Sequence, residues 1–71
     1  MTTQTHQRQL YAEIRRTSEY AHQADKGELF PVHLAEGPAL EHIVIGGPGG
    51  QYRLKDVHLY IKHAGKATLI S

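Results

Sequence analysis

The placement of the large aliphatic and phenylalanine side chains constrains this chain more than any other feature. Leu10 and Ile14 are the two that precede Gly27, and fourteen more lie between Leu29 and Ile70, making sixteen in all. A core drawn from this sequence has to come mainly from its second part. At 71 residues, the gain from burial and the entropy cost of ordering nearly cancel. The absence of cysteine also removes disulfide staples and thiolate zinc sites. The expectation is a single small domain over residues 1–71, helped by self-association or by a partner.

Residues 5–26 contain no Gly or Pro and many good helix formers, and Gly27 follows as a left-handed stop. This composition predicts one N-terminal helix with a thin apolar stripe through Leu10, Tyr11, Ile14, Ser18 and Ala21. Residues 28–71 read instead in period two. Phe30, Val32 and Leu34 alternate with Pro31 and His33, and His42 to Ile45 is a short run rich in β-branched residues. Pro31 points to an edge position for the first of these strands. Val57, Leu59 and Ile61 alternate with His58, Tyr60 and Lys62, and the turn at Ala64-Gly65 precedes Thr68-Leu69-Ile70, which gives a C-terminal hairpin. The step from Leu54 to Val57 requires a bulge or corner at Lys55-Asp56. Leu54, Val57 and Ile61 also fit a helical face, so residues 54–64 stay open between strand and helix, with the alternation favouring strand. The predicted fold class is α+β: an N-terminal α-helix packed on a small, mostly antiparallel sheet of three to five strands.

The Gly-rich segment 46–50 lacks the Gly-Lys-Ser/Thr of a phosphate loop, and Tyr52 stands where a dinucleotide fingerprint starting at Gly47 needs glycine. Its expected role is to connect two strands, with glycines supplying positive φ and Pro48 fixing a torsion. The six histidines show no helical i, i+4 pair, and His58 and His63 have opposite parity along a strand. A cross-strand pair such as His33 with His42 is left open, and no metal or other cofactor is predicted. Ser18 and Ser71 have no oxyanion-hole motif nearby, and Asp25, Glu28, Glu36 and Glu41 define no facing acid and base. The chain is therefore read as non-catalytic.

Charge divides unevenly along the sequence. Residues 1–24 carry +1, residues 25–50 carry −3 and residues 51–71 carry +3, which sums to the net +1. Two contact surfaces follow. Arg8, Tyr11, Arg15, Arg16 and Tyr20 would place arginine and tyrosine, residue types enriched at interface hot spots, on the predicted helix. His58, Tyr60 and Lys62, flanked by Arg53 and Lys66, would make a basic row with an aromatic suited to phosphates and unpaired bases. The first surface implies a small adaptor, regulator or inhibitor of a larger protein partner, acting as a homodimer. The second implies a nucleic-acid-binding accessory protein. With no secretory start and no long apolar run, no membrane contact is expected and the location expected is cytoplasmic.

Overall fold

The computed structural model describes residues 8–38 and 41–71. Within them the chain forms six strands: β1 (Leu10–Ile14), β2 (Phe30–Glu36), β3 (His42–Gly46), β4 (Gln51–Arg53), β5 (Val57–His63) and β6 (Lys66–Leu69). They make one sheet in the order β4-β3-β2-β1-β5-β6, and every neighbouring pair is antiparallel.

The N-terminal helix expected over residues 5–26 is absent from its described part, residues 8–26; Thr5 to Gln7 lie outside the described residues. In its place stand β1, a run of turns and a 3₁₀ turn at Ala21–Gln23. The α+β assignment is corrected to all-β, and the three to five strands become six. The physical reason lies in residues 10–14, where period two runs beneath the helix-forming composition. Ala12 and Ile14 are fully buried, while Tyr11 and Glu13 alternate with them onto the other face. β1 is a central strand held between β2 and β5, with Ala12 opposite both Phe30 and Leu59. Ladder hydrogen bonds on both sides and burial of one face outweigh weak helical propensity.

Pro31 is also not on an edge strand. Its carbonyl oxygen lies close to Gly46 of β3, so its nitrogen points to the same side. There β3 has already ended, since Val32 pairs with Gly46 as the last rung. The missing N–H is therefore asked for nothing, which is the edge condition met locally.

The sheet must curl. β4 and β5 occupy the first and fifth places in the order, which in a flat sheet lie about 19 Å apart. The chain from Arg53 to Val57 spans at most about 14 Å even when extended, and it is shortened further by a 3₁₀ turn at Leu54–Asp56. The corner expected at Lys55-Asp56 is this turn, and residues 57–63 continue as strand. Curling encloses a core of Ala12, Ile14, Phe30, Val32, Val44, Tyr52, Val57 and Leu59 on the concave face. The Arg15 N–H donates to the Asp56 carbonyl at 2.9 Å, tying the end of β1 to the corner.

The Gly-rich segment is built into this core. Gly46, Gly47 and Gly50 have φ of 135°, 78° and 88°, and a Cβ on Gly47 would overlap the Phe30 ring. The Gly49 N–H donates to the Tyr52 hydroxyl at 2.7 Å, and that hydroxyl donates to Gln23 Oε1 at 2.5 Å.

Candidate functional site: the convex face of β1, β5 and β6

Alternation along β1 and β5 decides which side chains leave the core. With Ala12, Ile14, Val57 and Leu59 inward, Tyr11, Glu13, His58, Tyr60 and Lys62 face outward. The register places Tyr11 opposite Tyr60 and Glu13 opposite His58, and Leu69 of β6 opposite Tyr60. Lys62 Nζ sits 4.3 Å from the centroid of the Tyr11 ring, a cation–π contact. The Tyr60 hydroxyl donates to Glu13 Oε1 at 2.9 Å, and the Gly27 N–H donates to Glu13 Oε2 at 3.0 Å. Both carboxylate oxygens are thus engaged. The Tyr60 phenol is held above its ordinary pKa, first by the hydrogen bond to Glu13, then by desolvation and by the charge on Glu13.

Beyond β1 the chain turns, and Ser18 Oγ accepts the Tyr20 N–H at 3.0 Å, a turn role for that serine. Arg15 donates from Nε to the Val57 carbonyl at 3.2 Å. Arg16 donates from Nη2 to the Ala24 carbonyl at 3.0 Å, bracing the β1–β2 connection. These arginines, with Thr17, wall a cleft of about 380 Å³ whose other lining residues are Glu13, His58, Tyr60 and Leu69. His58 Nδ1 is buried and has no hydrogen-bond partner among the described residues.

The structure therefore merges much of the two surfaces expected separately. Tyr11, Arg15 and Arg16, assigned above to a helix, share one face with His58, Tyr60 and Lys62 from the hairpin. Four residues fall away from it. Arg8 is exposed just ahead of β1. Lys66 lies at the hairpin turn, paired with His63. Arg53 belongs to β4, at the opposite end of the sheet. Tyr20 packs edge-to-face on Tyr52, with ring centroids 5.8 Å apart. It lines, with Arg53, a separate cleft of about 300 Å³. Its hydroxyl is held above the ordinary tyrosine value mainly by the charge of the adjacent Glu19 carboxylate. Glu13 and Leu69 were missed from the sequence. Period two over residues 10–14 was the signal that places Glu13 beside Tyr60.

His33 and His42 do not form a cross-strand pair: His33 lies opposite Ile45, and His42 opposite Glu36. Among the described residues, no group of three His, Cys, Asp or Glu side chains is arranged to hold a metal ion. No described helix is long and apolar enough to cross a membrane. No family model, curated protein or solved structure matches the chain.

Proposed function

We propose that the chain is a non-catalytic protein-binding module, acting as an adaptor, regulator or inhibitor of a larger protein through the convex face of β1, β5 and β6. The observation that carries this reading is the convergence of Tyr11, Arg15, Arg16, His58, Tyr60, Lys62 and Leu69 on one surface from separate parts of the sequence. Tyrosine and arginine are the residue types enriched at interface hot spots, and the exposed Leu69 beside them adds apolar area.

A protein partner is favoured over nucleic acid for three reasons. The basic row is broken, because Arg53 lies at the far end of the sheet. A carboxylate, Glu13, stands in the middle of the cationic face. The Tyr11 ring already carries the Lys62 ammonium over its face, which leaves less free ring surface for a stacked base.

The test is affinity capture from the native host by the wild-type chain and by Lys62→Glu, with and without nuclease, read by mass spectrometry. The reading expects a defined protein retained after nuclease and depleted by the charge reversal. Retention that vanishes with nuclease, together with salt-sensitive oligonucleotide binding, would replace it with the nucleic-acid reading.

A further inference from the structure

We propose that the free edge of β6 pairs with β6 of a second copy of this chain, in antiparallel register about a two-fold axis at Thr68. Among the described residues, the backbone groups of β6 divide between those that β5 uses and those left unused. Leu59 directs both its N–H and its C=O toward the C-terminal segment: its N–H donates to the Ser71 carbonyl at 3.0 Å, and its carbonyl accepts the Ile70 N–H at 2.8 Å. By alternation Ile61 and His63 face the same way. Their opposite residues, Thr68 and Lys66, spend their backbone groups on β5. The N–H and C=O of Ala67 and Leu69 therefore point away from the sheet.

Those two residues set the register that an antiparallel partner must match. An antiparallel strand must offer outward-facing groups at the same two-residue spacing, and β6 offers them to itself. Setting Thr68 opposite Thr68 of the second copy puts Ala67 opposite Leu69 in both directions, and each such pair exchanges two hydrogen bonds, four in all. The threonines form the intervening non-bonded pair, a favourable cross-strand match. Side chains agree with this register. Ala67 and Leu69 share the convex face, so the small residue of one copy meets the large one of the other, and Leu69, 54% exposed in the single chain, gains a neighbour. The lysines at position 66 fall at opposite ends of the paired segment, so the charge that usually guards an edge does not oppose its twin. The hairpin that presents this edge is tight: Ala64 and Gly65 both have positive φ, 54° and 79°, as a two-residue turn matched to strand twist requires. The result is a continuous twelve-stranded sheet in which two convex faces lie side by side.

The chain has no cysteine, so single cysteines report the register directly. At the two-fold position the Cα atoms lie about 4.5 Å apart, within disulfide range. Equivalent positions at 67 or 69 are displaced by two residues along the strands and lie about 8 Å apart, out of range. Thr68→Cys is expected to oxidise to a covalent dimer under mild conditions at least tenfold faster than Ala67→Cys or Leu69→Cys. Ala67→Pro removes an outward N–H that β5 does not use, and should weaken dimerisation in sedimentation equilibrium about tenfold or more. The circular dichroism of this variant should be retained. Monomeric mass for the wild type at millimolar concentration would overturn the proposal. So would crosslinking at 67 or 69 as fast as at 68. Neither result bears on partner capture through Lys62, so the two readings fail separately.

Discussion

The two edges of the sheet are built in opposite ways. β4 is only Gln51–Arg53, yet its central residue Tyr52 is 3% exposed, with Tyr20 edge-to-face at 5.8 Å and Phe30 at 5.9 Å. Its hydroxyl bonds both Gly49 and Gln23. At the other edge every residue of β6 is exposed, and Leu69 and Ile70 present 54% and 51% of their surface. One edge is anchored by buried ring packing and a doubly bonded hydroxyl, and the other is held mainly by its ladder to β5. Stability therefore concentrates at β4, and the capacity for association at β6.

Substitutions at the two edges should separate these roles. Tyr52→Ala removes a buried ring and strands Gln23, and should cost about 3–5 kcal/mol, measured by urea denaturation. A loss below about 1 kcal/mol would mean that β4 is no better anchored than β6. Gly47→Ala demands a positive φ of an alanine and displaces Phe30, for an expected loss of about 1–3 kcal/mol in the same assay. Leu69→Ala, by contrast, should change the stability of the dilute monomer by less than about 0.5 kcal/mol, while reducing association at high concentration.

The smallest effect lies on the convex face. The Tyr60 phenol is raised above 10.0, so the hydrogen bond to Glu13 supports the fold fully below the unfolded pKa and is lost as pH rises through the folded one. Titration of ¹³C-labelled tyrosine should place Tyr60 above an ordinary tyrosine, and Glu13→Ala, which removes both the acceptor and the charge, should bring it down. An unchanged value in that variant would remove Glu13 as the cause.

Much of the sheet was legible from period two. Phe30 to Leu34, His42 to Ile45 and Val57 to Ile61 are β2, β3 and β5, and Gly65 marks the turn to β6. β1 was hidden because Gln, Ala, Glu and Arg surround Leu10 and Ile14. Only its place between β2 and β5 makes the alternation of Ala12 and Ile14 decisive. The same misreading split the convex face into two sites. Tyr11, Arg15 and Arg16 were singled out by residue type, which does not depend on the element. Their proximity to Tyr60 and Lys62 depends on strand order, and a single sequence does not encode that locally. Arg53 was placed wrongly for the related reason that the 3₁₀ corner at Leu54–Asp56 carries the chain from one end of the sheet back to its other half.

The most direct test of this contrast is amide hydrogen exchange at residues 66–69 as a function of protein concentration. The Thr68 amide, bonded to β5, should be slow at every concentration. The Ala67 and Leu69 amides should exchange rapidly in dilute solution and become protected as the second copy pairs. Exchange at 67 and 69 that stays fast at all concentrations, or is slow even at high dilution, would contradict an open edge that closes on its own twin.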